Sequence, residues 1–332
     1  MTRTVSIGER PGTAAGAIGE APASIDEALT LAVRLGADLP LPGTGRTVEL
    51  WETLATLAAV DLGVARAIEP HLDATAILSQ AGRDDLLRTG TWGVFAAEGA
   101  DTPLRGSESD GSWHLSGTKP WCSLANRLDH ALVSAHVGDE RRLFAVDLHD
   151  AGVSVDTAAW VARGLVEVPS GPVHFESVRA EPVGDAGWYL QRAGFEWGGI
   201  QVAACWHGGA VGIARTVFEA MAAKPHSHGL AHLGVIDELL ESNRRALAEA
   251  ARRVDDGTAD RLLTKRVRAT VARSVEEIIG RAGHALGPAP LALDAAHAKR
   301  VADLQLYVRQ HHAERDQESL GRTLVDGGEV PW

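Results

Sequence analysis

Residues 117–135, GTKPWCSLANRLDHALVSA, set an indole, a thiol and a hydroxyl (Trp121, Cys122, Ser123) between a Gly-Thr-Lys-Pro turn and an alternating run. The period of two in HALVSA belongs to a half-buried strand. Similar runs surround it: TWGVFAAE, SWHLSGTKPW, RRLFAVDL and GPVHFESVRA, separated by Gly, Asp and Ser clusters. The region from Trp92 to about Val183 therefore predicts an antiparallel barrel or sandwich. No ten-residue helix lies between these strands and no GxGxxG follows any of them, which disfavours a parallel doubly wound sheet with a Rossmann nucleotide site.

The texture on both sides is helical. Before it, SIDEALTLAVRL opens on Ser24 as an N-cap, and TVELWETLATLAAVDLGVARAIEPH (47–71) carries apolar residues at three- and four-residue spacing. ADLPLPGTG between them reads as a loop. After Gly194, four long helical patterns follow in succession, which predicts an antiparallel four-helix bundle. The first holds Ala203, Ala204, Gly208, Gly209 and Gly212. Glycine inside a helix costs about 1 kcal/mol relative to alanine, so its repeated use points to close helix approach or a ligand. The chain thus divides into 1–90 (helical), 91–186 (barrel) and 187–332 (helical bundle), an α+β protein that is mostly α.

A chain of 332 residues with 45% hydrophobic content can bury a substantial core. Its net charge of -12 leaves no sequence-wide basic surface, so nucleic acid and anionic membranes are not expected partners. Two cysteines without CxxC spacing, and an N-terminus lacking a secretory apolar core, predict a cytoplasmic protein. Apolar runs break well before the roughly 20 residues that span a bilayer.

In this order, DGSWHLSGTKPWCSLANRLDHALVSA, SGPVHFESVRAEPVG and GGIQVAACWHGGAVGIAR resemble the acyl-CoA dehydrogenase family of flavoproteins. They match its Gly-x-Lys-x-Trp-x-Ser/Thr segment, its Phe-x-x-Val strand and the first helix of its bundle, and the likeness spans most of the chain. The resemblance implies a helical domain, a β-barrel and a four-helix bundle, and bound FAD. It implies α,β-dehydrogenation of an acyl-CoA or acyl-carrier thioester, an electron-transfer flavoprotein as acceptor, and a homodimer, a homotetramer or a heteromer. Carried over, Trp121 walls the flavin ring and Ser123 donates a hydrogen bond to it, roles that suit a flat indole and a fixed polar group. An indole with a turn serine beside it could also be core packing. TWGVFAAEGADTPL (91–104) stands where the family has a flavin-contacting threonine; that position falls near Phe95 or Ala96, leaving the backbone N–H groups of Ala96 and Ala97 to serve the flavin edge.

The family's catalytic carboxylate is replaced. In DLQLYVRQHH (303–312) its place falls at or near His311, and the alternative carboxylate position in the first bundle helix falls at Gly198, two residues after Glu196. His311 and His312 read either as chemistry, a neutral imidazole taking a proton or steering oxygen as in the monooxygenase relatives, or as structure at a helix end. Glu196 is the remaining candidate base, although two residues turn a helix by about 200°. For the cofactor's phosphates, RAGHALG offers Arg281 and Gly283. Two further readings stay open: a flavin-dependent monooxygenase, and a non-catalytic or half-site subunit. His226, His228 and His232 lack a completing metal ligand and read as loop histidines. Cys122 reads as an inert packing thiol, and Arg268 and Arg273 lie on a charged helix face.

Overall fold

The computed structural model describes residues 2–8, 14–87, 90–99, 103–328 and 332. The N-terminal helices are α1 (Ala14–Ile18), α2 (Ile25–Asp38), α3 (Thr47–Val60) and α4 (Leu62–Gln80). Ser24 caps α2: its hydroxyl accepts the Glu27 N–H (3.2 Å), and Glu27 Oε2 accepts the N–H of Ala23 (2.9 Å), the residue before the cap. The long apolar run 47–71 is two helices, because Asp61 leaves the helical conformation (φ -151°) and accepts the Val64 N–H to start α4.

The strands are β1 (Trp92–Phe95), β2 (Arg105–Ser109), β3 (Ser112–Lys119), β4 (His130–Val137), β5 (Glu140–Asp147), β6 (Val153–Val155) and β7 (Val173–Val183). Pairing in the order β4-β2-β3-β7-β5, with β5 returning to β4, closes the barrel. β2 and β6 escaped the sequence reading: RGSES is polar and largely exposed, and VSV is too short to show a period. The barrel is not wholly antiparallel, since β1 runs parallel to β4 through Trp92 to Phe95, and β2 touches the same edge of β4 further along. The intervening β2–β3 hairpin lets the chain return in the same direction without a crossover helix.

After the short α5 (Trp188–Gln191) come α6 (Ala193–Ala223), α7 (Ser227–Asp255) and α8 (Arg261–Leu286), then α9 (Ala289–Leu293), α10 (Ala295–Tyr307) and α11 (Glu314–Asp326). The fourth helical pattern is thus shorter than expected. It stops at Tyr307, passes through a 3-10 turn and an extended His311 (φ -90°, ψ 116°), and restarts at Glu314 after Ala313 at φ 45°. The glycines of α6 do permit close approach, but to α3. A Cβ on Gly208 would lie 2.1 Å from the Ala55 carbonyl oxygen, and one on Gly212 would lie 2.7 Å from that of Ala59. α6 is therefore buried against the N-terminal helices as well as the bundle. Lys299 joins the three regions, with its ammonium 3.0 Å from Asp61, 2.5 Å from Glu167 and 2.7 Å from Asp303. Among the described residues, no helix is long and apolar enough to cross a membrane.

Candidate functional site

β3 ends at Lys119, so Trp121 and Ser123 do not alternate on a strand as the sequence suggests. Residues 121–124 form a turn in which Trp121 (φ 60°) and Leu124 (φ 58°) are left-handed, a conformation bulky residues hold only under external constraint. The constraint is the 169–171 segment: the Cys122 N–H donates to the Gly171 carbonyl (3.1 Å) and the Leu124 N–H to that of Pro169 (2.8 Å). Trp121 is thereby held 60% exposed, edge-on to Trp160 at 6.3 Å. Ser123 goes the other way. Its hydroxyl is buried 2.8 Å from Ser170 Oγ and accepts from Arg66 Nη2 (3.0 Å), so it is not presented to a ligand. Its backbone N–H has no acceptor among the described residues. Cys122 is packing: it is buried, its thiol donates to the Lys119 carbonyl (3.2 Å), and burial pushes its pKa well up. Lys119 itself is a buried cation, on Glu98 (2.8 Å) and Ser134 (2.9 Å).

Arg66 leads from this turn into a cleft of about 510 Å³ between α4, α6, α8 and the α10–α11 break. Its other guanidinium nitrogen lies 3.5 Å from Glu69, which faces the cleft and is 5% exposed. Gln201 of α6 donates to Glu69 Oε1 at 3.3 Å. Burial raises the Glu69 pKa to about 7, opposed by Arg66 and reinforced by Asp73 one turn on. Asp73 lines the same cleft and is likewise pushed up by burial, with Arg192 and Arg66 opposing.

The opposite wall holds the residues singled out from sequence. His311, His312 and Glu196 all line the cleft. His311 is buried, and burial lowers its pKa, with Asp316 3.9 Å away opposing, so the ring is neutral near pH 7. Asp316 also accepts the His312 backbone N–H (3.1 Å), and Arg268 holds the Gln310 carbonyl (3.1 Å) from α8. Arg268 is spent on this support and on the Gly199 carbonyl (2.6 Å), with its guanidinium 4.8 Å from the Trp206 ring centre. The His312 side chain is half-exposed. The Glu196 carboxylate accepts from Arg261 (3.0 Å) at the rim.

Other residues lie elsewhere. Phe95 is buried in the core, and the Ala96 carbonyl accepts from Arg141 (2.7 Å), which together with Glu98 ties down the end of β1; Ala97 follows, half-buried. Residues 100–102 of the TWGVFAAEGADTPL stretch lie outside the described residues. Arg281 is paired with Glu277 (2.6 Å) near the end of α8, and Gly283 faces open space; neither lines the cleft. His226 caps α7, its ring nitrogen accepting the Gly229 N–H (3.0 Å). The sequence reading missed Arg66, Glu69 and Asp73. Their signal was present, charges at i, i+3 and i+7 on one face of an otherwise apolar helix, a spacing that places them side by side.

No family model and no curated protein matches the sequence. Solved structures do match in fold. Butyryl-CoA dehydrogenase from Megasphaera elsdenii superposes with a TM-score of 0.79 at 16% identity, covering 91% of this chain and 89% of that one. KijD3, solved with FMN and dTDP-3-amino-2,3,6-trideoxy-4-keto-3-methyl-D-glucose, gives 0.77 at 17% identity over 97% and 96%. Dibenzothiophene monooxygenase TdsC from Paenibacillus sp. A11-2 gives 0.73 at 17% identity over 93% and 92%. N-terminal helices, a central barrel and a C-terminal helical domain in this order make the acyl-CoA dehydrogenase-like fold, which this chain shares with dehydrogenases and monooxygenases alike.

Proposed function

We propose that the protein is an FAD-dependent oxidoreductase that dehydrogenates an acyl thioester in the cleft between α4, α6, α8 and the α10–α11 break. The observation that carries this reading is the convergence of Glu69, Asp73, Glu196 and His311 on one cleft, joined through Arg66 to the turn that presents Trp121. The turn fits a flavin: an exposed indole held in place offers a flat apolar face, and the unpaired Ser123 N–H offers a donor beside it. Trp121 would stack on the ring and the Ser123 backbone, rather than its hydroxyl, would bond its edge. A bound flavin supplies a two-electron acceptor for the substrate's β-hydride. Arg281 and Gly283 enter this reading only as a contribution to the site of a second copy. The chain's own residues hold the thioester, exclude water and receive the α-proton.

A second reading has a specific observation in its favour. His311, buried in the cleft, falls at or near the position where the resemblance puts the dehydrogenases' carboxylate, and a neutral imidazole suits oxygen chemistry at a reduced flavin. The test starts from the absorption spectrum after reconstitution with FAD. Anaerobic bleaching by an acyl-CoA supports dehydrogenation; bleaching only by an external reductant, with oxygen then consumed in the presence of an organic substrate, replaces it with monooxygenation. A preparation that retains no FAD overturns both and leaves a scaffold or half-site subunit.

A further inference from the structure

We infer that Glu69, on the α4 wall, takes the α-proton of the thioester, with Arg66 and Asp73 as its positioning residues; this rests on the dehydrogenase reading above. The family places its carboxylate on the α10 or α6 side of such a cleft, and here neither position supplies one. His311 is at the first, Gly198 is at the second, and Glu196 is engaged by Arg261 at the rim. Asp316 of α11 also lines the cleft but is engaged by the His312 N–H and ring, which leaves Glu69 and Asp73 on α4.

Three features of its geometry suit a base. Glu69 is nearly sealed from bulk water yet lines the cleft, so a substrate entering it meets the carboxylate without a competing solvent shell. Its two partners are long, Gln201 at 3.3 Å and the Arg66 guanidinium at 3.5 Å, and an ionised carboxylate has about four lone-pair sites, so acceptor capacity remains. Arg66 is fixed at its far end by Ser123, which ties Glu69 to the turn presenting Trp121. The groups facing Glu69 are Arg66 and Asp73 from α4, Gln201 and the Cys205 thiol from α6, and the Tyr307 phenol from α10, the last two kept neutral by burial. A buried carboxylate with a second, half-buried one a turn away in an apolar helix is a poor choice for stability, and such arrangements cluster at working sites.

The step balances with the oxidant already named. The Cα–H bond breaks, its proton goes to a Glu69 oxygen, and its electron pair moves toward the thioester carbonyl. The Cβ–H bond then breaks with both electrons leaving as hydride to bound flavin, and the α,β double bond forms. Glu69 later returns the proton to water.

The experiment isolates the proton step. FAD-loaded protein is kept anaerobic with its flavin pre-reduced, so that no net oxidation runs, and α-deuterium uptake from D₂O into butyryl-CoA and a panel of straight-chain and aryl acyl-CoAs is followed by mass spectrometry. Wild type should exchange at a rate that rises with pH through about 7 and then levels, as Glu69 ionises. Glu69→Gln should lower it by about 100-fold or more, and Glu69→Asp should retain part of it with the pH dependence preserved. Substrate-free infrared titration should show a carboxyl band near pH 7 that Glu69→Gln removes. Exchange that persists in a folded Glu69→Gln protein, with melting temperature near wild type, overturns the assignment alone. Wild type that neither exchanges nor is bleached by any thioester overturns the dehydrogenase reading together with it; if Glu69→Gln does not fold, Glu69→Asp decides, an exchange rate equal to wild type and an unshifted infrared band overturning the assignment.

Discussion

The two walls of the cleft are built on opposite plans. The α10–α11 wall carries His311 and His312 in a break between helices, propped from outside by Asp316 and Arg268. The α4 wall carries Arg66, Glu69 and Asp73 within an unbroken helix packed between β1 and α6. In the break His311 is buried while His312 keeps access to solvent. Polar groups inside a packed helix lose their water, so their pKa values move and folding becomes tied to pH.

The largest expected effects are on the α4 wall, and they run in opposite directions with pH. Burial lowers the pKa of His71 to about 4, and its Nδ1 accepts the Trp92 backbone N–H (3.2 Å), a bond only the neutral ring can make. A depressed histidine contributes stability that is present above its unfolded pKa of 6.5 and is lost as pH falls toward 4, amounting to about 3 kcal/mol. Chemical denaturation of His71→Gln against wild type should show the gap between them change by that amount from pH 7 to pH 4. Glu69 works the other way: a raised carboxylate favours the folded state below its unfolded pKa of 4.5, and that contribution is lost as pH rises through about 7. The stability of wild type relative to Glu69→Gln should therefore fall by about 3 kcal/mol between pH 4 and pH 8. A flat difference would mean that Glu69 keeps its water in the folded protein.

Ser123→Ala tests the link between cleft and barrel mouth. Removing the hydroxyl leaves Arg66 and Ser170 without that partner, for a loss of about 1 to 2 kcal/mol in urea denaturation. Under the proposed cofactor geometry FAD binding should weaken little, because the Ser123 backbone N–H survives. The smallest effect belongs to His312→Ala: the half-exposed ring lies 3.5 Å from Asp316, and surface pairs contribute little, so stability should change by less than about 0.5 kcal/mol. A larger loss would show that the break is as tightly built as α4.

Much of the fold was legible because periodicity survives without long-range information. Ser24 as a cap, the strand runs and the glycines of α6 each report a local constraint. Other features depended on partners distant in sequence. The parallel β1–β4 pairing follows from how the β2–β3 hairpin turns the chain. The end of the fourth helical pattern at Tyr307 has no proline or glycine to announce it. Of the candidate residues, the three that the sequence offered for catalysis, His311, His312 and Glu196, line a single cleft, whereas Trp121 and Ser123, two residues apart in one motif, part company because the turn is pinned to residues 169–171.

The sequence by itself determined the helical, barrel and helical segments and the absence of a carboxylate at residue 311. Each is written in local spacing or in residue identity. Only the tertiary structure decided which charges matter. Arg66, Glu69 and Asp73 read along the chain as ordinary polar residues on a helix, and they become neighbours of one cleft, with Glu69 nearly sealed from water, because α6 and the barrel pack on that helix. Burial is a property of the assembled layers, and burial is what raises the Glu69 carboxyl pKa to about 7.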